Sequence, residues 1–156
     1  MNDGPVTEAP EAEFWRVMKL DVFGTFLTSK YCIPEMIKAG GGSIINMSSN
    51  LALMGIPGRD CYTAGKGAIA AITRSMAVEY AENSIRVNAI APSVTKTDRV
   101  EKFLTSDPKI VAQLESHLLG LIQPIDVANM AVYLASEESS VVTGQVFPID
   151  SGITVS

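Results

Sequence analysis

The chain has 156 residues, of which 47% are hydrophobic and 19% charged, and its formal net charge is −5 at pH 7. This size and apolar fraction are typical of one globular domain, so residues 1–156 are treated as a single domain. The negative charge argues against a nucleic-acid or anionic-membrane partner, because both are usually bound through basic surfaces. No signal-peptide pattern and no membrane-length apolar stretch occur, so a cytoplasmic protein is expected.

A long helix is predicted from about Glu11 to Lys38, with Pro34 bending or weakening its last turns. Apolar side chains lie nearly all around this helix, which indicates that it is covered on more than one side. A run of three glycines at 40–42 follows it. Because the glycines follow a helix and precede a strand, they predict a helix stop rather than a phosphate-binding loop.

The next segments alternate between short apolar runs and helical patterns. Strands are predicted at Ser43–Met47, at Ile85–Ile90 and at Gln145–Ile149. A helix rich in small residues is predicted from about Cys61 to Ala81, and its backbone could approach a neighbour closely. A polar helical excursion is expected between Thr97 and Leu119, and a last helix from Pro124 to Ala135.

Strands that alternate with helices imply parallel pairing and right-handed crossovers, which is an α/β fold. Three strands are fewer than a full doubly wound sheet has. They would leave one edge of the strand at Ser43–Met47 unpaired, which natural proteins avoid. The sequence therefore predicts a partial doubly wound parallel sheet, with the remainder missing or supplied by another chain.

Three polar residues are candidates for catalysis. Tyr62 and Lys66 stand four apart on a predicted helix and so share one face. A neighbouring ammonium favours the phenolate form of a tyrosine, and the pair can then carry a proton near neutral pH. Ser49 follows a predicted parallel strand, at the sheet edge where ligands bind in open α/β folds. Its hydroxyl could bond a substrate oxygen on which charge develops.

These residues lie in a pattern that resembles the short-chain dehydrogenase/reductase family. A serine thirteen positions before Tyr-x-x-x-Lys is met by Ser49, Tyr62 and Lys66 in INMSSNLALMGIPGRDCYTAGKGA. The family's strand ending in Pro-Gly, with a threonine after it, resembles IRVNAIAPSVTKT. The C-terminal signature resembles QPIDVANMAVYLASEESSVVTGQVFPIDSG. The match runs from about Gly4 to Gly152, and its motifs agree in order and spacing.

The resemblance implies a Rossmann-type fold and hydride transfer between NAD or NADP and a secondary alcohol or ketone. Tyr62 would be the general acid/base, Ser49 would polarise the substrate oxygen, and Lys66 would hold the nicotinamide ribose. The backbone of Pro92, Ser93 and Val94, together with the Thr97 hydroxyl, would hold the nicotinamide carboxamide. The two long helices correspond to those that build a four-helix interface in the family. The resemblance therefore also implies a homo-oligomer, a dimer or a tetramer.

The sequence departs from the family pattern at three positions. Asp21 stands where the family has an asparagine of the proton relay, and its charge would favour the ammonium form of Lys66 and partly cancel the lysine's effect on Tyr62. Ser93 and Ser151 each replace a glycine. Both replacements are expected to be minor unless a positive φ is required there.

The family's glycine-rich motif and Asn-Asn-Ala-Gly are absent from the sequence. The chain is therefore expected to be a fragment of a longer protein or a truncated protein. The alternative to an enzyme is a catalytically inactive remnant that acts as an oligomerising or interaction module. The substrate and the choice between NAD and NADP cannot be assigned from the sequence.

The remaining chemically active side chains give weaker signals. Cys32 and Cys61 could form a disulfide, but two buried, reduced thiols are the preferred prediction. No metal-ligand set is predicted. His117, the only histidine, has no nucleophile-elbow motif to pair with, so a surface or substrate-loop position is expected.

Overall fold

The structure, a computed structural model, describes residues 3–104, 114 and 116–156, without the side chains of residues 99, 103 and 104. Its helices are α1 (Glu11–Val17), α2 (Gly24–Lys38), α3 (Asp60–Glu79), α4 (Asp98–Leu104) and α5 (Pro124–Ala135). Its strands are β1 (Gly42–Met47), β2 (Ile85–Pro92) and β3 (Val146–Ile149). Short turns of 3-10 helix follow β1, α3 and α5.

The three strands form one parallel sheet in the order β1-β2-β3. Ile44 pairs with Val87, and Ile90 pairs with Phe147. Within the described part of the chain, β1 pairs only with β2 and thus lies at an edge, as the sequence predicted. A groove of about 340 Å³ runs along that edge between β1 and α2. The predicted α/β class and parallel sheet are confirmed.

Alternating side chains of β1 and β2 pack on opposite faces of the sheet. Ile44 and Val87 pack with Ile33 of α2 and Met76 of α3 in the core. The residues before them, Ser43 and Arg86, point to the opposite face. The Ser43 hydroxyl donates to the Leu134 carbonyl of α5 at 2.7 Å, and the guanidinium of Arg86 donates to the same carbonyl at 2.9 Å. The sheet therefore has helices on both faces, as a doubly wound fold requires.

The long first helix has the predicted outer bounds but is not uniform. Residues 18–23 form a π-helical segment, Met18–Phe23, between α1 and α2. Pro34 lies inside α2, which continues to Lys38. The glycine run ends the helix as predicted, with Gly40 and Gly41 both at positive φ. A Cβ at Gly41 would also lie 2.7 Å from the Ser84 carbonyl oxygen, so a side chain is excluded there.

Apart from the surface excursion, the other elements lie within two residues of the predicted ends, and the last helix has the predicted bounds. Pro124 opens α5, and the Asp126 carboxylate accepts the Gln123 N–H at 2.8 Å to cap it. Helix α4 confirms the start of the predicted excursion between Thr97 and Leu119. Positions 105–113 and 115 of that prediction lie outside the described residues.

Both cysteines are free, and Cys61 is buried, but Cys32 is exposed. The prediction of two buried thiols is therefore wrong for Cys32. The physical reason is the unpaired edge of β1, because Cys32 lines the groove along that edge instead of packing beneath another strand. Among the described residues, no helix is long and apolar enough to cross a membrane.

Helices α1 and α3 approach each other closely at Gly65. A Cβ placed on Gly65 would lie 2.5 Å from Cγ1 of Val17, which is far inside van der Waals contact. The small residues of α3 predicted such an approach. On the same helix, a Cβ on Gly67 would meet nothing within 4 Å. The two glycines thus differ in environment although they are two positions apart.

We expect Gly65→Ala to destabilise the protein and Gly67→Ala to stabilise it. Overpacking costs about 1–3 kcal/mol, whereas replacing glycine by alanine inside an open helix face gains about 0.5–1 kcal/mol. Denaturant unfolding of both variants and the unchanged protein measures the difference. Equal stability of the two variants would show that α1 and α3 are not in close contact at Gly65.

Candidate active site

The candidate site lies at the carboxyl edge of the sheet, where β1 and β2 end. The Ser48 N–H still pairs with the Ile90 carbonyl at 2.8 Å, and Ser49 follows in extended conformation as the cap of a 3-10 turn, Asn50–Ala52. Ser49 is buried, with 5% exposure, and its Oγ lies 3.4 Å from the Pro92 carbonyl oxygen at the end of β2. The strand ends thus place the predicted serine beside the predicted cofactor segment.

Helix α3 brings Lys66 to the same edge. The Nζ atom of Lys66 donates to the Met47 carbonyl, the last of β1, at 3.2 Å. It also lies 5.6 Å from the centroid of the Tyr62 ring, one helical turn earlier, within range of a cation–π interaction. Lys66 is buried and Tyr62 is half-buried. The 3-10 turn after Ser49 packs against α3, so the three predicted catalytic residues lie on adjoining elements.

Asp21 belongs to the π-helical segment and forms an ion pair with Lys66. Its Oδ1 accepts a hydrogen bond from Nζ at 3.2 Å, and the exposed fractions of the two side chains are 30% for Asp21 and 10% for Lys66. π-Helical turns are rare and often occur at functional sites. The predicted proximity of Asp21 to Lys66 is thus present, and the electrostatic coupling expected from the sequence has a direct path.

The predicted nicotinamide segment follows β2. The Ser93 N–H continues the pairing of β2 with β3 by donating to the Ile149 carbonyl at 3.1 Å. Val94 is half-buried, and Thr97 is exposed. The Thr97 hydroxyl accepts the N–H of Val100 at 3.4 Å in the first turn of α4. The cofactor contacts of Pro92, Ser93, Val94 and Thr97 stay predictions.

Comparison with known proteins agrees with this geometry. A family model described as enoyl-(acyl carrier protein) reductase matches residues 1–154. The chain is 38% identical to 2-(S)-hydroxypropyl-CoM dehydrogenase 3 of Xanthobacter autotrophicus, over 97% of this chain and 61% of that protein. A short-chain type dehydrogenase/reductase from Mycobacterium ulcerans superposes with a TM-score of 0.94 at 32% identity, over 99% of this chain and 57% of that one.

The chain belongs to the short-chain dehydrogenase/reductase family. A further solved member, ElxO with NADP bound, has a TM-score of 0.92 at 31% identity, over 100% of this chain and 64% of that one. The chain thus spans about three fifths of the length of these relatives.

Sequence reasoning did not identify Asp3 as a residue near the site. Its carboxylate accepts the N–H groups of Cys61 and Tyr62 at 3.1 and 3.0 Å and so caps the first turn of α3. Burial raises the pKa of the Cys61 thiol, and the adjacent Asp3 raises it further. A cap from so distant a part of the chain leaves no local sequence pattern, so nothing in the sequence could have indicated it.

His117 is the second residue whose position differs from the expectation. It is 5% exposed, so the surface alternative is wrong, and the substrate-loop alternative stays a prediction. Its Nε2 lies 3.0 Å from the Ser93 Oγ. His117 is buried because the two residues after it are bonded to the C-terminal turn. The N–H of Leu118 donates to the Ser151 carbonyl at 2.8 Å, and the N–H of Leu119 donates to the Ser151 hydroxyl at 2.7 Å.

The two serines that replace family glycines differ in backbone conformation. Ser151 has φ 53°, in the left-handed region that favours glycine, whereas Ser93 is not among the described non-glycine residues with positive φ. The positive φ that would make such a replacement matter is therefore present at Ser151 alone. There, the hydrogen bond from Leu119 offsets part of the conformational cost.

Proposed function

We propose that this chain carries the catalytic residues of an NAD- or NADP-dependent oxidoreductase that interconverts a secondary alcohol and its ketone. The observation that supports this most is the placement of the Lys66 ammonium beside the Tyr62 ring, at the end of β1 that leads to Ser49. The relative from Xanthobacter autotrophicus is a dehydrogenase, and ElxO binds NADP. These comparisons do not favour the alternative of an inactive interaction module.

The residues fit the nicotinamide end of such a cofactor. An ammonium has three donors. In the part of the chain that the structure describes, Lys66 donates to Asp21 and to Met47, which leaves one donor for a ribose hydroxyl. The Pro92–Thr97 segment starts at the end of β2, next to Ser49, where the carboxamide would be held. The bound cofactor would accept hydride from the alcohol carbon or return it to the ketone.

Protein side chains would transfer the proton that accompanies the hydride. In oxidation, Tyr62 as phenolate takes the proton of the substrate hydroxyl, and in reduction the phenol gives it back. Ser49 donates a hydrogen bond to the same oxygen and stabilises its developing charge. The Lys66 ammonium, 5.6 Å from the centroid of the Tyr62 ring, stabilises the negative charge of the phenolate. Asp21 offsets part of that effect, because its carboxylate pairs with the same ammonium.

We expect Tyr62→Phe to reduce turnover about 10²- to 10⁴-fold, since the proton would lose its route. Cofactor binding should change little, because Lys66 and the loop after β2 remain. The assay follows NAD(P)H absorbance in the longest natural gene product that contains this chain, with cofactor affinity measured separately. Tyr31→Phe removes the phenol of an exposed tyrosine on α2 and serves as the matched control. Wild-type turnover in Tyr62→Phe would exclude this mechanism.

Asp21→Asn should move the pH–rate profile towards lower pH. Removal of the carboxylate leaves the Lys66 ammonium without its ion-pair partner, so its positive charge acts more strongly on the Tyr62 oxygen and favours loss of the proton. Glu35→Gln makes the same charge change on α2 at a carboxylate paired with Lys38, and it should leave the profile in place. Identical profiles for all three proteins would mean that Asp21 is not coupled to the proton transfer.

We further propose a cytoplasmic homo-oligomer, a dimer or a tetramer, in which residues 1–156 form one domain. Large apolar side chains on the first helical run are exposed to an unusual extent, among them Trp15 at 65% and Leu20 at 63%. Phe23 and Phe26, stacked on each other, are also exposed. Together they form an apolar surface of the kind that marks an interface.

Light scattering should give a mass larger than that of one chain, and Leu20→Asp should reduce it. Val132→Asp places the same charge at an exposed apolar residue of α5, which packs on the other face of the sheet. This control variant should leave the measured mass unchanged. A stable monomer of the unchanged protein at tens of micromolar would contradict the proposal. A monomer produced equally by both variants would instead place the interface elsewhere.

A further inference from the structure

Ser93 stands where the family has glycine, and its hydroxyl joins two buried side chains. It accepts a hydrogen bond from Nδ2 of Asn50 at 3.2 Å and lies 3.0 Å from Nε2 of His117. Its backbone is fixed by the bond to Ile149 of β3 and carries no left-handed strain. Glycine at this position could make neither side-chain contact, so the connection depends on the serine.

The orientation of the Asn50 amide follows from its third neighbour. Nδ2 lies 3.6 Å from the Met54 thioether sulfur, which can only accept a hydrogen bond. The nitrogen side of the amide therefore faces Met54 and Ser93, and the oxygen side faces Ser49. The Ser49 hydroxyl lies 3.1 Å from Oδ1, which is shorter than its 3.4 Å to the Pro92 carbonyl oxygen.

These contacts define the direction of the first two hydrogen bonds. Ser49 donates to Asn50, and Asn50 donates to Ser93. Since the Ser93 oxygen receives that bond, its own proton is available for Nε2 of His117, which can accept it in the tautomer protonated at Nδ1. The four side chains thus form one chain of bonds from the substrate serine to the segment that leads to α5, and three of them, Ser49, Asn50 and His117, are buried.

We propose that Ser93 and His117 are positioning residues that orient the Ser49 hydroxyl through Asn50. This inference rests on the proposed function for its effect on turnover, but the chain of bonds itself exists without substrate. Asn50 holds the Ser49 proton in one direction, and Ser93 and His117 hold Asn50. Ser49 then exchanges its bond to Asn50 for one to the substrate oxygen from a fixed starting orientation. Loss of Ser93 leaves Nδ2 of Asn50 with only the weaker Met54 sulfur as acceptor, so the amide, and with it the Ser49 hydroxyl, is held less firmly.

The single histidine gives a spectroscopic test that needs no activity. In ¹⁵N NMR of the full chain, the Nε2 signal should be that of an unprotonated, hydrogen-bonded nitrogen. Ser93→Ala should move this signal, and Ser49→Ala should move it by less, although Ser49 lies two side chains away. Ser43→Ala removes a hydroxyl bonded to α5, outside this chain of bonds, and should not move it. An Nε2 signal that keeps its position in Ser93→Ala or in Ser49→Ala refutes the chain of bonds.

Kinetics tests the consequence for turnover in the longest natural gene product. Ser93→Ala should lower kcat about tenfold, the effect expected for one lost hydrogen bond, with an unchanged KM for the cofactor. Ser93→Thr, which keeps the hydroxyl, should restore kcat. The double variant Ser93→Ala/His117→Gln should be no slower than Ser93→Ala alone, because both act through one chain. Unchanged kcat in Ser93→Ala, or additive losses in the double variant, overturns the positioning role.

The two measurements separate this inference from the proposed function. An unchanged protein without NAD(P)-dependent turnover, but with the expected NMR shifts, refutes the proposed function and the effect on catalysis while the bonded chain stands. Normal turnover with no NMR response in Ser93→Ala leaves the enzyme assignment intact and removes the inference.

Discussion

The close approach of α1 and α3 at Gly65 is the constraint on which the candidate site depends. Val17 fills the space that a side chain at 65 would occupy, and Asp21 lies one turn further along the same helical run. With the two helices at this distance, the Asp21 carboxylate reaches the ammonium of Lys66, which is next to Gly65 in sequence. Lys66 is then held from two sides, by Asp21 and by the end of β1. The orientation of the Lys66–Tyr62 pair towards the strand ends follows from a packing contact that contains no polar atom.

The predictions from sequence succeeded where a feature depends on neighbouring residues. The four-residue spacing of Tyr62 and Lys66, the alternation of strands and helices, and the stop at Gly40 are local properties, and the structure has them. The π-helical segment was not predicted, since a change in backbone hydrogen bonding inside a continuous helix leaves the apolar pattern readable as one helix. The exposure of Cys32 and the burial of His117 depend on residues that are distant in sequence, so they could not be derived from composition or periodicity.

Ser93 and Ser151 show why a substitution pattern alone could not separate their effects. Both replace glycine, and from the sequence both replacements are expected to be minor unless a positive φ is required. The backbone decides between them, because Ser151 takes a left-handed φ and Ser93 does not. Yet both contribute to the position of His117, one by bonding the residues that follow it and the other by bonding its ring. The same change from glycine to serine thus adds conformational strain at Ser151, whereas at Ser93 it adds a partner for the His117 ring.

The distribution of burial suggests which parts of the structure depend on a partner. Among the described side chains, no buried polar atom lacks a hydrogen-bond partner, and Ser49, Asn50 and Lys66 are all buried with contacts inside the chain. The apolar residues show the reverse arrangement, since Trp15 and Leu20 are exposed within the described chain. Buried polar groups are satisfied by geometry, whereas exposed apolar area is stabilised only by contact with another surface. Association should therefore raise the free energy of unfolding strongly while changing the local geometry around Lys66 little, because the contacts that hold Lys66 are complete without it.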